Sequence, residues 1–460
     1  MVAGRCMASS PSSSPSSRAG WGRQGETATV ELVPTTATEL FSFDEAIEPE
    51  ALMVRQRPQP SLSMIPPIDS DTHSLASFWQ LDPTCTYLNH GSFGPSPLPV
   101  QQAREEWSRR LESQPMRFFC QEMEEELERT AAVLAGFLRT QPERIALIDN
   151  ATVAMNVVAS SVTLKVGDEV LLTDHEYGAV KNIWQARCRE SGAKVVTASL
   201  PFPPRDEGVV AAIEAAITAR TRLIVSSHVT SATACILPVK AVCQLATRHK
   251  VPVCVDGPHA IAMLDVNLNE LGCDYYCASG HKWLCAPFGS GFLWVHPRNH
   301  SSIRSPMISW GGSIAGRPAT WKDRTNWPGT RDPAPLLAMS NAVRFFTPDR
   351  LAEFRRHAHS LVSEARRELL QLPGVGTFCT PEESDFVCMA AVELPQPAGW
   401  KPGYHGHPDP LQLELRDQHG IEVPVGSWNG RRFLRVSSHL YTHRADIHRL
   451  LDALRASRFL

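Results

Sequence analysis

The sequence predicts an α/β protein whose mainly parallel sheet is covered by helices on both faces. Short apolar runs alternate with amphipathic helical stretches from Ile145 to Val295, and most of these runs end in turn residues or polar side chains. Buried parallel strands have continuous apolar sequences, and their alternation with helices is typical of a sheet covered on both sides. No G-x-G-x-x-G opens any helix, so a dinucleotide-binding fold is not predicted.

Composition limits the range of functions. The chain has 460 residues, 43% of them hydrophobic, and a formal net charge of −3. This length allows two or three domains with ample core, and the charge balance indicates neither a nucleic-acid nor a membrane partner. No apolar run approaches the roughly 18 residues that a membrane span needs. The twelve cysteines include no C-x-x-C pair, so we predict reduced thiols and a cytoplasmic protein.

The pattern of residues predicts four segments. Residues 1–70 contain stretches rich in serine and proline and are predicted to be a disordered tail. Arginines precede the first acid, Glu26, so an organelle transit peptide is one alternative, and a translation start at Met64 is another. Residues 71–100 form an N-terminal arm, 101–333 a large domain, and 334–460 a smaller C-terminal α+β domain.

One stretch, from Val251 to Trp294, places polar side chains at the ends of two neighbouring strands. The apolar runs are Pro252–Val255 and Tyr275–Ala278. Parallel strands bring their carboxyl ends to one edge of the sheet, which is where open α/β folds bind ligands. The polar residues that follow the two runs are Asp256, His259, Ser279, His281 and Lys282.

A lysine and an aspartate at such an edge suit pyridoxal 5'-phosphate. The lysine amine forms a Schiff base with the cofactor's aldehyde, and the carboxylate keeps the ring nitrogen protonated. At about 4 Å and an effective dielectric constant near 20, that ion pair contributes roughly 4 kcal/mol, or about 3 pKa units. The alternative is an ordinary βαβ unit in which the two residues only cap structural elements.

At these residues the sequence resembles the class V aminotransferases, a family that includes cysteine desulfurases and isopenicillin N epimerases. The resemblance covers about Tyr87 to Leu454 and implies the pyridoxal-phosphate-dependent transferase fold type I. It also implies a homodimer with shared active sites. The matching motifs, in chain order, are Asn150-Ala151-Thr152, Tyr177, Asp256-x-x-His259, Ser279-x-His281-Lys282, Gly329-Thr330 and Arg435.

The resemblance implies a role for each cofactor-binding residue. Lys282 carries the cofactor and moves protons at the substrate α-carbon, while Asp256 holds the ring nitrogen and His259 supports the phenolic oxygen. Tyr177 stacks over the ring, although His175 competes for that role if the register differs by two residues. The predicted phosphate ligands are Ala151, Thr152, Ser279 and His281, together with Gly329 and Thr330 from the neighbouring subunit. The alternatives for these segments are an ordinary helix cap and a surface turn.

On the substrate side, Arg435 matches the family's carboxylate-binding arginine, whose planar guanidinium forms a bidentate pair. The resemblance also implies that Ser231 faces the phenolic oxygen of the cofactor or the substrate. The segment Asn89-His90-Gly91-Ser92-Phe93-Gly94 is similar to one that lines the substrate site in the epimerase-like branch. That resemblance implies substrate contacts from Asn89, His90 and Gly91, although such a glycine-rich loop is also typical of a plain turn.

These features predict a pyridoxal phosphate enzyme that acts at the α-carbon of an amino acid, most similar to isopenicillin N epimerases. Inversion needs a second acid–base group facing Lys282, and Tyr177 and His90 are the candidates. A cysteine desulfhydrase or other C–S lyase, a transaminase and a non-catalytic scaffold are the alternatives. Desulfurase chemistry is disfavoured because the stretch Gly420–Arg432 lacks the reactive cysteine that a persulfide requires.

Overall fold

Apolar runs bounded by turn residues form the strands of this chain. The computed structural model describes residues 75–310, 312–314, 316–378, 382–403 and 407–460, and the predicted disordered tail lies outside these ranges. The strands are β1 Thr86–Tyr87, β2 Ile145–Ile148, β3 Glu169–Thr173, β4 Lys194–Ala198, β5 Thr221–Ser227, β6 Val253–Asp256, β7 Tyr275–Ser279, β8 Gly291–Val295, β9 Gly376–Thr377, β10 Met389–Glu393, β11 Ile421–Glu422, β12 Val425–Trp428 and β13 Arg431–Ser437.

Amphipathic stretches between these strands form the helices. The α-helices longer than three residues are α1 Leu98–Ser113, α2 Met123–Phe137, α3 Ala151–Ser161, α4 Gly178–Ser191, α5 Asp206–Ala216, α6 Val239–His249, α7 Leu268–Leu271, α8 Trp321–Asn326, α9 Ala334–Leu337, α10 Met339–Phe345, α11 Pro348–Leu369, α12 Pro410–His419 and α13 Arg444–Ala456. One short helix, Pro115–Arg117, and a π-helical turn, Phe118–Glu122, precede α2. Among the described helices, none combines the length and the apolar character needed to cross a bilayer.

The central sheet has seven strands in the order β2-β8-β7-β6-β5-β3-β4. The five strands from β7 to β4 are mutually parallel, and β8 runs antiparallel to both β7 and β2. Strands β6 and β7 are wholly buried, as expected for apolar strands covered on both faces. Because they are parallel neighbours in which Asp256 pairs with Cys277, the residues that follow them share one edge of the sheet. The predicted fold class is confirmed.

A second, antiparallel sheet has the order β12-β13-β10-β9, and β1 pairs with β11 in parallel. Helices α11 and α13 pack together and against this part of the chain. The last helix, α13, buries its apolar residues Ile447, Leu450, Leu451 and Leu454. Each such side chain contributes about 1.5–3 kcal/mol relative to its exposed state. All described residues fall in one compact unit, Leu62–Leu460, so the domain boundary near residue 333 stays a prediction.

The cysteines correct one prediction. Nine cysteines of the described ranges are free, and seven of these are buried. Cys235 is disulfide-bonded, so the prediction that all of the thiols are reduced is wrong. Spacing alone could not show this, since a disulfide depends on which side chains the fold brings together.

Candidate active site

Lys282, His259 and Trp283 form a hydrogen-bonded chain at the edge of the central sheet. The Lys282 Nζ lies 2.9 Å from His259 Nε2, and the Trp283 indole N–H donates to His259 Nδ1 at 3.3 Å. An indole nitrogen can only donate, so Nδ1 of the neutral imidazole is bare and Nε2 carries the proton. The Nε2–H therefore donates to Lys282 Nζ, which must be an unprotonated amine to accept it.

Burial favours the neutral forms of both Lys282 and Asp256. Burial lowers the pKa of Lys282 to about 7, with a further contribution from the Arg435 charge, and Asp256 opposes this shift. Burial and then the charge of Glu176 raise the pKa of Asp256 to about 7, and Lys282 opposes this. A lysine amine that is largely neutral near pH 7 is a competent nucleophile.

This shift predicts how the cofactor-free protein captures an aldehyde. Only the neutral Lys282 amine attacks, so the second-order rate of pyridoxal phosphate capture should rise about tenfold per pH unit below about pH 7 and level off above it. The measurement is the growth of cofactor absorbance at fixed concentration from about pH 5.5 to about pH 9. A rate that continues to rise to pH 9 would indicate an ordinary lysine, whose pKa is about 10.4, and would contradict the geometry.

The amino-terminal end of α3 lies against the end of β7. Asn150 caps this helix by accepting the Val153 N–H at 3.0 Å, and the Ala151 N–H donates to Ser279 Oγ at 3.0 Å. The Ser279 hydroxyl thus keeps its own proton for another acceptor, and the neighbouring Thr152 is exposed. A helix terminus with such donors binds phosphate readily. Three of the predicted phosphate ligands are therefore together.

His281 and the Gly329-Thr330 segment lie near this end of the site. His281 is half-buried, and its Nδ1 has no hydrogen-bond partner within the described ranges. Thr330 is exposed, while the next residue, Arg331, forms an ion pair with Asp149, which immediately precedes the helix cap. The predicted contact of Gly329 and Thr330 with the phosphate of a neighbouring subunit stays a prediction.

Arg435 is a buried cation with an unused donor. One of its terminal nitrogens donates to the Ser231 carbonyl, the other donates to Ser92 Oγ at 2.9 Å, and Nε has no partner in the described structure. Burial lowers the pKa of Arg435 to about 10, so it stays charged at neutral pH. A carboxylate would complete its donor set in the planar geometry that arginine favours. The predicted substrate residues Arg435 and Ser231 are thus in contact.

Of the two aromatic candidates for stacking, only Tyr177 has an accessible ring. Tyr177 precedes α4 and is 53% exposed, whereas His175 is 3% exposed. The His175 ring is hydrogen-bonded to Thr233 Oγ1 at 2.9 Å and packs 4.3 Å from the Trp428 ring. This arrangement favours Tyr177 for the stacking role.

The glycine-rich segment after β1 is placed differently from the prediction. His90 is 0% exposed, and its ring nitrogens face the Tyr441 hydroxyl and the Lys282 carbonyl, so the predicted substrate contact of His90 has no support. Asn89 is also buried and donates weakly to Glu422 at 3.4 Å. Gly91 does lie beside Arg435, since a Cβ there would be 3.4 Å from Arg435 Nη2.

Sequence reasoning missed Glu176, a buried carboxyl group near Asp256. It accepts hydrogen bonds from the Thr173 hydroxyl at 2.7 Å and from the Ser227 N–H and hydroxyl at 3.0 and 2.7 Å. Ser227 is the register partner of Asp256 on the neighbouring strand. Burial raises the pKa of Glu176. The only sequence signal was an acid three residues after a buried strand, next to Tyr177, the aromatic residue assigned to stacking.

Comparison with known proteins identifies the family. A family model for aminotransferase class V matches residues 86–450. The chain belongs to the class V aminotransferases. It is 36% identical to an isopenicillin N epimerase of Amycolatopsis lactamdurans, over 82% of this chain and 96% of that protein. It is 26% identical to a probable chloroplastic L-cysteine desulfhydrase of Arabidopsis thaliana, over 84% of this chain and 85% of that protein.

The fold of this class V aminotransferase is shared with solved structures. A C-DES variant with glycine covalently linked to its pyridoxal phosphate cofactor aligns with a TM-score of 0.71 at 23% identity, covering 84% of this chain and 100% of that one. Identity at that level supports the fold alone. The sequence-based predictions of family, fold and cofactor are confirmed, since class V aminotransferases use pyridoxal phosphate.

The residues present fit that cofactor. Its phosphate matches the donors of α3 and Ser279, and the unpartnered Nδ1 of His281 lies in the same turn as Lys282. Its ring nitrogen matches the buried carboxyl group of Asp256, and its phenolic oxygen matches the Nε2–H of His259. Its aldehyde matches Lys282, whose pKa is lowered to about 7. Each polar group of the cofactor thus has a chemically suitable counterpart.

Proposed function

We propose that this class V enzyme is an amino-acid epimerase or racemase in which Lys282 moves the α-proton. The observation that carries the proposal is that one loop, residues 89–94, contacts both substrate-handling residues, Arg435 through its side chain and Lys282 through its backbone. Ser92 accepts from Arg435, and His90 bonds to the backbone of Lys282. The Arg435 charge also lowers the pKa of Lys282, so a substrate carboxylate bound to Arg435 would hold the α-carbon near the Lys282 amine.

Each side chain has a definite task in this proposal. Bound pyridoxal phosphate supplies the electron sink that makes the α-hydrogen of an amino acid acidic. Arg435 would orient the substrate through its α-carboxylate, Asp256 would keep a proton on the ring nitrogen, and the Nε2–H of His259, which bonds to Lys282 Nζ in this structure, would be available to the phenolic oxygen. Lys282 Nζ accepts the α-proton as a neutral amine, the form that burial favours.

Inversion also needs a proton carrier on the opposite face of the α-carbon. His90 cannot serve there without leaving its buried position. Tyr177 is exposed, follows β3 at the same edge of the sheet, and lies close enough to Arg435 to affect its pKa. We therefore assign the second acid–base role to the Tyr177 hydroxyl.

The second candidate function is β-elimination by a C–S lyase. Elimination requires only one base at the α-carbon, and Lys282 meets that requirement alone. Similarity to a named desulfhydrase supports this candidate, but the identity of 26% is lower than the 36% to a named epimerase. The absence of cysteine between Gly420 and Arg432 argues against a desulfurase, which needs a reactive thiol in that stretch to form a persulfide. Retention of both Asp256 and Lys282 argues against a non-catalytic scaffold.

Incubation with single L-amino acids in deuterium oxide tests the proposal. We expect deuterium at the α-carbon together with appearance of the D-enantiomer or epimer. Mass spectrometry measures the deuterium, and chiral chromatography measures the inverted product. Tyr177→Phe should keep the exchange with retained configuration but lower inversion at least about tenfold, because only one face keeps its proton carrier. Tyr275→Phe, a buried tyrosine of β7, is the control. Sulfide and pyruvate from L-cysteine without inversion of any amino acid would favour the lyase instead.

We also propose a cytoplasmic homodimer with shared active sites. Thr330 is exposed, and a Cβ added at its neighbour Gly329 would meet no atom of the described chain within 4 Å, so both residues are available for a contact across a two-fold axis. Nine described cysteines are free, which favours a reducing compartment, while the disulfide-bonded Cys235 points the other way.

A further inference from the structure

Two fully buried imidazole rings lie stacked against the turn that carries Lys282. The centroids of His90 and His439 are 4.2 Å apart, with 18° between the ring planes, and both residues are 0% exposed. They come from the loop after β1 and from the segment after β13, while the turn follows β7. The stack therefore joins three parts of the chain that are distant in sequence.

Hydrogen bonds define the tautomer of His90. Its Nε2 lies 3.2 Å from the Lys282 carbonyl, and its Nδ1 lies 2.9 Å from the Tyr441 hydroxyl. A carbonyl oxygen can only accept, so Nε2 carries the proton and Nδ1 accepts from the tyrosine. Burial lowers the pKa of His90 to about 3, so the ring is neutral with both nitrogens engaged.

His439 contacts the same turn at Cys285. Its Nε2 lies 3.4 Å from Cys285 Sγ, and burial holds the pKa of His439 well below the usual value. The two histidines thus contact the turn at two residues, Lys282 and Cys285.

The turn itself is tightly constrained. The Cys285 N–H donates to the Lys282 carbonyl at 2.8 Å. Cys285 has a φ of +51°, a left-handed backbone conformation that costs a residue other than glycine about 1–2 kcal/mol. Gly94 donates its N–H to the His281 carbonyl at 3.0 Å. A Cβ on Gly94 would be 2.6 Å from the Lys282 carbonyl oxygen and 2.7 Å from His90 Nε2, so only glycine allows this approach.

The same side chains do not have the arrangement of a metal site. Ligand atoms of His90, Cys285 and His439 lie within 4.8 Å of one another, but a tetrahedral zinc site needs lone pairs that converge on one point. Because the His90 and His439 rings are stacked and nearly parallel, their in-plane lone pairs lie in two separate parallel planes and do not converge on one metal position. In addition, the Nε2 of His90 already carries the proton that it donates to Lys282.

We propose that His90, supported by Tyr441 and by the stacked His439, is a positioning residue that clamps the backbone of Lys282. The proposal rests on the assignment of Lys282 in the proposed function. A lysine that carries the cofactor and then moves a proton must swing its ε-amine while its backbone stays fixed, because small displacements at the reacting atom cost rate. The loop that bears His90 also bears Ser92, so the clamp fixes the lysine relative to Arg435.

His90→Phe tests the clamp in the full-length, cofactor-loaded protein, because it keeps an aromatic ring for the stack and removes both nitrogens. We expect amide hydrogen exchange of residues 282–286 to become at least about tenfold faster. The pH midpoint of the bound cofactor's visible absorbance should shift as well. Tyr441→Phe should raise the exchange rate of these amides by a smaller factor. The exchange rate in the double variant should be only slightly higher than in His90→Phe, because both side chains act through one hydrogen-bond network.

His357→Phe is the matched control. The His357 ring is also hydrogen-bonded to a backbone carbonyl, that of Thr442, at 2.9 Å, but within the described structure it makes no hydrogen bond to the Lys282 turn. It should leave exchange at 282–286 and the absorbance midpoint unchanged. Unchanged exchange in His90→Phe, or in Tyr441→Phe if His90→Phe fails to fold, overturns the clamp. Stoichiometric zinc that disappears in Cys285→Ser overturns it in favour of a metal site. Borohydride trapping on Lys282 of the wild type reports the proposed cofactor attachment separately.

Discussion

Lys282→Ala should abolish covalent attachment of the cofactor and lower turnover by at least about 10³-fold, since the variant loses both the nucleophile and the proton carrier. Borohydride reduction followed by peptide mass mapping locates the attachment, and chiral chromatography follows turnover.

The control for this variant is Lys240→Ala, which removes an exposed lysine of α6 whose partner Glu270 lies 3.9 Å away. It should retain the adduct and full turnover, because an exposed pair contributes little. A reduced adduct on any residue other than Lys282 in the wild-type protein would contradict the assignment. So would a Lys282→Ala protein that still carries the cofactor covalently.

Asp256→Asn is expected to lower turnover by about 10³-fold while the protein still folds and still binds cofactor. The neutral amide cannot hold a proton on the ring nitrogen, and an ion pair at about 4 Å and a dielectric constant near 20 contributes roughly 4 kcal/mol, which is close to three powers of ten. The measurement combines turnover with the absorbance of the bound cofactor, which should lose the band of the protonated ring.

Glu176 should not rescue this variant. Its two carboxyl oxygens are committed to the Thr173 hydroxyl and to the Ser227 N–H and hydroxyl, and moving it would leave those buried donors without an acceptor. Glu176→Gln is the comparison. It removes the neighbouring charge that raises the pKa of Asp256, so the Asp256 pKa should fall and turnover should change far less. Equal losses in the two variants would contradict a direct role for Asp256.

Several features of the site could be predicted because they depend on residues close together in sequence. Asn150 precedes an apolar helical run and caps α3, as its residue type favours at that position. Asp256 is the last residue of buried strand β6, and Lys282 follows buried strand β7 by three residues. Once the two strands are read as parallel neighbours, the sheet geometry places both at one edge without any further information.

Other features could not be predicted, because their partners are hundreds of residues away. His90 has the residue type and the glycine-rich surroundings of a ligand-binding loop, yet Tyr441 and the Lys282 turn bury it. The environment of Arg435 depends on Ser92 and Ser231, which come from the N-terminal loop and from the segment after β5. The pairing of β1 with β11 likewise joins the two ends of the described chain.

The sequence by itself determined the family, the α/β class and the cofactor, since the order of short motifs and the apolar periodicity specify them locally. The tertiary structure decided which of the candidate side chains keep accessible or unpartnered polar atoms and which, like His90, are buried with their hydrogen bonds made. The physical reason is that the protonation and accessibility of a polar group depend on burial and on its partners in space. Local spacing can place a histidine or a glutamate near a site, but only packing determines whether it reaches a substrate.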